Sequence, residues 1–492
     1  MSAVAVTLGR RASAAAAVTG GAVVVGAAMA MRPSLTLLAV AACVAATVFI
    51  VWPDAVTLGV IFLLYMNVPA VLVKDHGFPL TIAALVPLLL VVPLAFHLYR
   101  RRRFVLDRTF VLLLVYLIIQ LVSTSFSTNQ HDAAEKLKTF GLEGVVLYAL
   151  VTNVVRTPTV LRRAVWAIVA AASLLSTVTI FQNVTHTYAR PYGGFSLVDS
   201  SFFLGHAVSP RASGPIGDPN YYGQLLLVAL ALALLTCWRE RTPRLKLAAA
   251  AASAVIAIAI TFTFSRGAGF GFLLVLVIMT FLRYISGRQL LALGVGVLVL
   301  LFAFPAYRER VATIGNLGGA TAETGSEDAA DVSTRGRATE MLAAALVFAD
   351  HPVVGVGPDV FPDYYQRYAQ QVGIEVHETV GHGRREGEQA QRQSHNMFLS
   401  VAADLGVFGL LTFIAIIVST IWTLAQARRR WLKTRPDLAA LATGFMLGVV
   451  AYVTTGLFLT LAYERYFWLL VALAGAGGSL ALSREAVEGE DA

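Results

Sequence analysis

The chain has 492 residues, of which 57% are hydrophobic and 14% are charged. Soluble domains carry about 25% charged residues, so this composition excludes an ordinary soluble enzyme. The formal charge of +9 does not indicate a nucleic-acid partner, because the basic residues lie in short clusters between apolar runs. Such clusters instead report how a chain is oriented in a membrane.

Apolar runs recur along most of the chain, and they predict an all-α polytopic membrane protein with 12–14 transmembrane helices. A helix needs about 20 apolar residues to cross the hydrocarbon core of a bilayer. The first run is the least apolar, and Arg10 and Arg11 before it leave two interpretations open, a retained helix or a cleaved signal peptide. In chain order the candidate spans are 13–31, 35–52, 55–74, 80–97, 109–127, 140–155, 164–183, 221–237, 247–264, 270–283, 290–305, 396–426, 438–460 and 466–482.

The distribution of Lys and Arg orients this bundle, because cytoplasmic connections collect basic residues. One side is predicted to be cytoplasmic and to include the tail 483–492, whereas Arg32 does not fit this assignment. The opposite side receives a first extracytoplasmic loop, 184–220, a short turn, 265–269, and a large loop, 306–395. The basic clusters on the cytoplasmic side are at 100–108, 156–163, 239–246, 283–288 and 428–435.

These assignments divide the chain into five regions. They are N-terminal transmembrane helices (1–183), central transmembrane helices with the first loop (184–305), the large extracytoplasmic loop (306–395), C-terminal transmembrane helices (396–482) and a cytoplasmic tail (483–492). Within the large loop, the stretch 316–334 is predicted to be flexible because it is rich in Gly, Ala, Thr and acidic residues.

An amphipathic helix is predicted for 335–350, where Ser333 or Thr334 would be the N-cap and Pro352 would end the helix. This helix is expected to lie on the membrane surface or to cap the bundle. Its apolar side is predicted to carry Met341, Leu342, Ala345 and Phe348.

Three arginines lie on the side where the charge pattern predicts few cations. Arg211 begins the stretch that ends Asp218-Pro-Asn220, Arg266 stands in a Ser-Arg-Gly turn between two apolar runs, and Arg337 lies on the predicted loop helix. A cation at membrane depth is costly unless it faces a cavity or an anion. A guanidinium can also reach lipid phosphates or form a structural ion pair, so for a single arginine both interpretations stay open.

His395 lies at the predicted membrane surface, where Ser394-His395-Asn396 opens a long apolar run. Its imidazole is suited to accept a proton from an attacking hydroxyl. The alternative is a structural histidine that is hydrogen-bonded to the backbone near a helix start. Tyr364 and Tyr365 are candidates for stacking on carbohydrate, or else for the aromatic belt found at membrane surfaces.

Several arginines beside one histidine suit the binding of a lipid-linked diphosphate. Guanidinium groups bind phosphate oxygens in a bidentate manner and keep their charge, so they would activate the diphosphate as a leaving group. Catalysis then needs a base for the acceptor hydroxyl and correct positioning of both substrates. The cysteines Cys43 and Cys237 lie in separate apolar runs and no Asp-x-Asp cluster is present on this side, so neither a metal nor a cofactor is expected.

The combined pattern resembles the O-antigen ligase and O-antigen polymerase superfamily of bacterial inner-membrane proteins. The resemblance covers roughly residues 205–470 and depends on four motifs in the same order. They are Arg211 to Gly214 with Asp218-Pro219-Asn220, then Ser265-Arg266-Gly267, then Arg337 followed by His351-Pro352 and Gly355-Val-Gly357, and finally Ser394-His395-Asn396 leading into Asp404-Leu-Gly406.

This resemblance implies a GT-C-type, metal-independent and inverting glycosyltransferase with an undecaprenyl-diphosphate-linked glycan as donor. It assigns Arg211 and Arg266 to the donor diphosphate and His395 to the activation of the acceptor hydroxyl, and it places Arg337 in donor or loop positioning. Asn220 and Asn396 are further candidates for positioning. The acceptor would be a glycan, a lipid or a protein, so the chain would act as a ligase or a polymerase on the periplasmic or outer face of the cytoplasmic membrane.

Two departures from the family pattern and one alternative remain. Family members commonly have about twelve spans, and Met341 stands where the family often has Trp. The alternative is a transporter or flippase of a small anion or a lipid-linked glycan, because bundles of this size are common among transporters. Transporters usually carry ionisable residues near the bilayer midplane, whereas the long apolar runs here contain almost no acidic residues.

Overall fold

The computed structural model describes residues 52–101, 104–199, 203–204, 207–208, 210–291, 294–295, 332–372, 392–460 and 464–482. The candidate span 13–31, Cys43 and the tail 483–492 lie outside the described residues. So do nearly all of the candidate span 35–52 and most of the stretches 290–305 and 316–334.

Helices make up most of the described part. They are α1 (Pro53–Tyr65), α2 (Val68–His76), α3 (Leu80–Leu88), α4 (Val91–Arg101), α5 (Arg108–Phe126), α6 (Gln130–Val154, with a π-helical segment at Gly141–Val146), α7 (Pro158–Val184), α8 (Pro219–Arg239), α9 (Pro243–Thr261), α10 (Arg266–Phe281), α11 (Val332–Asp350), α12 (Phe361–Val372), α13 (Met397–Thr434), α14 (Pro436–Gly456) and α15 (Glu464–Leu482). In the described part of the first loop, β1 (Leu197–Asp199) pairs with β4 (Arg211–Gly214), and β2 (Phe203–Leu204) pairs with β3 (Ala207–Val208), both antiparallel.

Eight of the described helices are long and apolar enough to cross a membrane, namely α5, α6, α7, α8, α9, α13, α14 and α15. Helices α1 and α2 together form a ninth candidate, which is bent by 52°. Helix α10 and the segment Leu85–Tyr99 are shorter apolar helices. The prediction of an all-α polytopic membrane protein is therefore confirmed.

The candidate span 80–97 is divided into α3 and α4 by a turn at Leu89 and Leu90. Pro87 and Pro93 flank this turn, and a proline cannot donate the backbone hydrogen bond that would continue a helix. The apolar run alone did not indicate this division.

The described helices place their connections at two opposite ends of the bundle. We call one the loop end, where Asn67 Nδ2 donates to Pro215 O at 3.1 Å and Thr460 N donates to Tyr221 Oη at 3.1 Å. The other is the basic end, where Arg162 pairs with Asp437 and Asn153 Nδ2 donates to Val105 O at 3.1 Å. Arg162 and Asp437 belong to two connections that the charge pattern assigned to the cytoplasmic side, and they contact each other.

The buried centre of the bundle is formed by α8, α14 and α15, where about four fifths of each apolar span is inside the protein. Helix α8 packs against α14 and α9, and α13 packs against α14, α5 and α15. Aromatic rings fill the space between α5, α6, α13 and α15, where Phe140 and Phe467 contact Trp468 edge-to-face at 5.1 Å and 4.8 Å between ring centroids. This packing supports the connections at the loop end.

Helix α13 is broken at Gly406, although the sequence predicted one uninterrupted span over 396–426. Gly406 has φ +68° and ψ −166°, a conformation that side-chain-bearing residues rarely adopt. The break frees the carbonyl groups of Ala403 and Asp404, which accept hydrogen bonds at 3.0 Å from the N–H groups of Val356 and Gly357. The large loop is thereby attached to the membrane bundle through backbone groups.

The glycines of this attachment have no room for a side chain. A Cβ atom on Gly355 would lie 2.3 Å from the Asp404 carbonyl oxygen, and one on Gly406 would lie 2.3 Å from Val353 O. Both glycines also have positive φ angles. Only glycine at positions 355 and 406 therefore allows the turn and the helix break to contact each other in this way.

The loop helix α11 begins at or before Val332, earlier than predicted, so Ser333 and Thr334 lie within the helix and do not cap it. It packs through Ala343, Ala344 and Val347, which are fully buried. The predicted apolar side is instead half-buried or, at Leu342, 42% exposed. The prediction of a helix was correct, but the buried face is a different one.

Candidate functional site

Arg211 on β4 is held in one orientation at the loop end. The residue is 6% exposed, and its Nε donates to the Thr263 carbonyl oxygen at 3.0 Å. Its Nη2 donates to Asn220 Oδ1 at 3.2 Å, and its Nη1 lies 3.9 Å from the Asp199 carboxylate. Asn220, a predicted positioning residue, thus contacts the guanidinium directly.

The arginine turn of the second motif lies beside β4. Ala212 N donates to Phe262 O at 2.9 Å, so β4 is hydrogen-bonded to the turn that precedes α10. Ser265 caps α10, with its Oγ accepting from Ala268 N at 3.4 Å, and Arg266 is the first residue of the helix. The backbone therefore brings the two predicted diphosphate-binding arginines to the same place.

The charges of three arginines act on one another here. Burial is the main reason why the pKa of Arg211 is lowered from its ordinary value, and the positive charges of Arg337 and Arg266 lower it further. Asp199 and Asp218 act in the opposite direction and raise it. An arginine remains protonated in proteins, so these three guanidinium groups concentrate positive charge where an anion would be stabilised.

Arg337 reaches this cluster from the loop helix α11. Glu340 follows three residues later on the same helix, so the two side chains are neighbours on one face. Arg337 is half-buried, whereas Glu340 is 2% exposed. A buried carboxylate is costly unless it is paired, so the contacts of Glu340 matter for the site.

Glu340 contacts the predicted catalytic histidine. Its Oε2 lies 2.6 Å from His395 Nδ1, and its Oε1 lies 3.5 Å from an Nη of Arg392. His395 Nδ1 is also 3.1 Å from the Gln393 carbonyl oxygen. These acceptors favour the tautomer with hydrogen on Nδ1, which leaves Nε2 free of hydrogen and able to accept a proton.

The backbone at His395 is fixed by the start of α13. His395 has φ +48°, which is uncommon for a residue other than glycine. The next residue, Asn396, caps α13, because its Oδ1 accepts from the N–H groups of Phe398 at 2.9 Å and Leu399 at 3.0 Å. Asn396 Nδ2 also donates to Leu457 O at 3.2 Å, which links the histidine segment to the loop after α14.

An ionic network, in which Glu464 is nearly buried and Asp359 is 38% exposed, lies beside the histidine segment. Lys136 Nζ is 3.0 Å from Glu464 Oε1 and 3.5 Å from Asp359 Oδ2, and Gln393 Nε2 donates to Asp359 at 3.4 Å. Asp404 accepts from the backbone N–H of Asp359 at 3.1 Å. A cavity of about 40 Å³ between these groups has room for a few water molecules but not for a sugar.

The two tyrosines proposed for glycan stacking differ in accessibility. Tyr365 is 1% exposed and packs against Phe361, so its ring faces are covered in this structure. Tyr364 is half-buried, its hydroxyl is 3.1 Å from Thr128 Oγ1, and its ring meets His351 edge-to-face. Of the pair, Tyr364 is the one that a glycan could reach.

Sequence reasoning missed Glu340 and Arg392. No fixed spacing relates a glutamate on one loop helix to a histidine 55 positions later, and Glu340 occupies a helix position at which an apolar residue would also be expected. Its one local signal is a carboxylate on the face that also carries Ala343, Ala344 and Val347. That signal becomes visible only when the buried face of α11 is correctly identified.

The fold and the site define an all-helical polytopic membrane protein in which arginines and a carboxylate-paired histidine occupy the same end of the bundle. A model of the O-antigen ligase family matches residues 251–414, one third of the chain. This match supports membership of the O-antigen ligase superfamily and confirms the resemblance drawn from the sequence. The matched region includes Arg266, Glu340 and His395, whereas Arg211 and Asn220 precede it. No curated protein matches the chain.

The similarity of residues 251–414 to the O-antigen ligase family agrees at a coarse level with a glycan-transferring membrane enzyme. The several apolar helices agree with a multi-pass membrane location.

Proposed function

We propose that the protein transfers a glycan from an undecaprenyl-diphosphate-linked donor to a hydroxyl group on a glycan, lipid or protein acceptor. The observation that carries this proposal is the contact between Glu340 and His395, one helical turn from Arg337 in the arginine cluster. The reaction is assigned to the extracytoplasmic face of the cytoplasmic membrane, because the site is opposite the basic end.

The arginines act on the donor. Arg211 and Arg266 bind the diphosphate oxygens, with Arg337 as a further positive group that positions the donor or the loop. Neutralisation of the diphosphate makes it a better leaving group, so the bond between the sugar C1 and the phosphate oxygen weakens. Arg211 is buried and hydrogen-bonded before any donor arrives, so little reorganisation is needed.

His395 acts on the acceptor. Its Nε2 takes the hydroxyl proton while the acceptor oxygen forms a bond to C1 on the face opposite the departing diphosphate, which inverts the configuration. Glu340 holds the Nδ1 hydrogen and stabilises the imidazolium that results. General-base catalysis of this kind contributes about 10²–10⁴-fold in rate. These guanidinium groups and the imidazole supply the chemistry without a metal ion.

Transfer by the purified full-length protein tests the proposal. Wild-type protein with an undecaprenyl-diphosphate-linked oligosaccharide is expected to produce undecaprenyl diphosphate and a glycosylated acceptor in buffer containing EDTA. The mass of the product identifies the acceptor. His395→Ala and Arg266→Ala are expected to reduce transfer by at least about 10²-fold without changing the amount of folded protein.

His131→Ala is the matched control for the histidine. His131 is at the same end, is 3.8 Å from Glu135 and is highly exposed, so its loss is expected to leave transfer unchanged. Full activity of His395→Ala would exclude the general-base role. Solute accumulation in proteoliposomes with the donor unconsumed would instead indicate a transporter.

A further inference from the structure

A cavity at the basic end, opposite the candidate active site, is not used by the proposed reaction. It has a volume of about 610 Å³, which is within the range of about 300–1,000 Å³ typical of ligand pockets. Helices α1, α7 and α9 and the junction between α13 and α14 all contribute to its walls. The lining residues are Leu58, Pro158, Thr159, Arg162, Arg163, Trp166, Ala167, Leu245 and Arg435.

Three guanidinium groups face this cavity, and one carboxylate lies beside them. Arg162 forms an ion pair with Asp437, and Arg435 Nε is 3.6 Å from the same carboxylate. Arg163 is exposed on the first turns of α7. Among the residues that the structure describes around the cavity, three guanidinium groups lie near the Asp437 carboxylate, and such a group of positive charges attracts an anion.

The start of α7 adds to the attraction for an anion. The cavity includes Pro158 and Thr159, the first two residues of this 27-residue helix. The N-terminus of a long helix carries a partial positive charge. Pro158 has no N–H group and the Val160 N–H donates to Thr157 Oγ1 at 3.2 Å, so the contribution of this helix start comes mainly from its dipole. Arginines from two separate elements and the start of α7 therefore surround a place where one anionic group would be bound.

The remaining walls are apolar. Leu58, Trp166, Ala167 and Leu245 come from α1, α7 and α9, and Leu245 is 43% exposed. A soluble phosphate would leave these walls in contact with water, whereas acyl chains would cover them. A tryptophan beside arginines at the end of a membrane span is also the usual setting of a lipid head group.

We propose that this cavity binds the head group of an anionic phospholipid, with its phosphate held by Arg163 and Arg435 and its chains against Trp166 and Leu245. Basic pockets between helices on the cytoplasmic side are suited to such head groups. The bound lipid would join α1, α7, α9 and the junction between α13 and α14 at the end of the bundle remote from catalysis.

The test uses the purified full-length protein and phosphatidylglycerol, with phosphatidylcholine as the neutral comparison. Native mass spectrometry is expected to show phosphatidylglycerol retained in preference to phosphatidylcholine. Each of Arg163→Gln and Arg435→Gln is expected to weaken phosphatidylglycerol binding about fivefold, because one basic residue near the surface contributes about that factor. Glycan transfer measured in detergent should be preserved in both variants, because neither residue is in the proposed active site.

Arg429→Gln is the matched control. Arg429 is an exposed arginine of α13 at the same end but does not line the cavity, so its loss is expected to leave lipid retention unchanged. An equal effect of all three substitutions would show only general attraction to the membrane surface and would overturn the proposal. Absence of bound phosphatidylglycerol in the wild-type protein would overturn it as well.

Competition by soluble phosphate compounds provides a second test of the lipid assignment. Inorganic phosphate and glycerol 3-phosphate are expected not to displace phosphatidylglycerol at millimolar concentration, because they lack the chains that cover the apolar wall. Displacement by either compound would identify the cavity as a site for free phosphate groups and would refute the lipid assignment.

Discussion

His395 Nδ1 and Glu340 Oε2 are 2.6 Å apart, although the two residues belong to different elements of the loop end. The glutamate is on the loop helix α11, and the histidine immediately precedes the cap of α13. This contact orients the imidazole and selects the hydrogen on Nδ1, which an isolated surface histidine would not achieve. It also explains why a carboxylate is tolerated on the buried face of α11.

Glu340→Gln is expected to reduce kcat by about 10²-fold or more, with little change in the KM for the donor. A glutamine amide can donate a hydrogen bond to Nδ1, which favours the tautomer with hydrogen on Nε2 and so removes the base. Steady-state kinetics of purified protein measure the effect. Glu135→Gln, which alters the exposed glutamate beside His131, should retain wild-type kinetics. A raised KM with unchanged kcat would contradict an orienting role.

Arg211→Lys is expected to raise the KM for the donor at least about tenfold. A lysine keeps the charge, but its three N–H donors are on one nitrogen and cannot reproduce the planar guanidinium fork that reaches Thr263 O, Asn220 Oδ1 and a phosphate together. Donor titration at saturating acceptor provides the measurement. Arg190→Lys, at an exposed position of the same loop, is the control that should not change KM. Equal KM values in both variants would exclude Arg211 from donor binding.

Gly406→Ala is expected to lower the free energy of unfolding by about 2 kcal/mol or more. The substituted residue would have to keep φ at +68°, and its Cβ would lie 2.3 Å from Val353 O. Thermal unfolding in detergent measures the change, and protease cleavage of the large loop should become faster. Gly269→Ala has no atom within 4 Å of its added Cβ and lies in helix α10, so it should not destabilise the protein. Unchanged stability of Gly406→Ala would show that α13 can straighten without cost.

Lys136→Met is expected to destabilise the protein by about 3 kcal/mol, because it leaves the nearly buried Glu464 and the carboxylate of Asp359 without their shared cation. The double substitution Lys136→Met with Glu464→Gln should recover part of this loss, since one uncompensated charge is removed. Denaturant or thermal unfolding compares the variants. Lys138→Met, at an exposed position two residues away, should behave as wild type. If the double variant recovers no stability, the loss of the ion pair is not the cause of the destabilisation by Lys136→Met.

The sequence predicted the structural features that depend on the length and composition of apolar segments. The spans at α5, α7, α8, α9, α14 and α15 follow from apolar length, and the shared end of their connections follows from the positions of Lys and Arg. The arginine motifs were found because they interrupt this pattern. Their approach in space depends on the hydrogen bonds of β4 with the turn before α10, and short strands leave little trace in an apolar sequence.

Features that depend on a single backbone angle or a single distant contact were not predicted. Hydrophobicity continues through Gly406, so the sequence shows no end to the helix there. The largest apolar residues of α11 predicted one buried face, whereas the helix packs through Ala343, Ala344 and Val347. Glu340 was missed for the same reason, since it lies on the face that was taken to be polar.

Main-chain groups hold the turn at Gly355 and Gly357 in the break of α13, and the Asp404 carboxylate adds hydrogen bonds from the N–H groups of Asp359 and Phe361. The glycine positions of this attachment are restricted, because an added Cβ atom would clash with the backbone of the partner segment at Gly355 and at Gly406. Exchange of the segment after this turn between related proteins is therefore expected to keep the attachment to α13, provided that Gly355, Gly406 and Asp404 are retained.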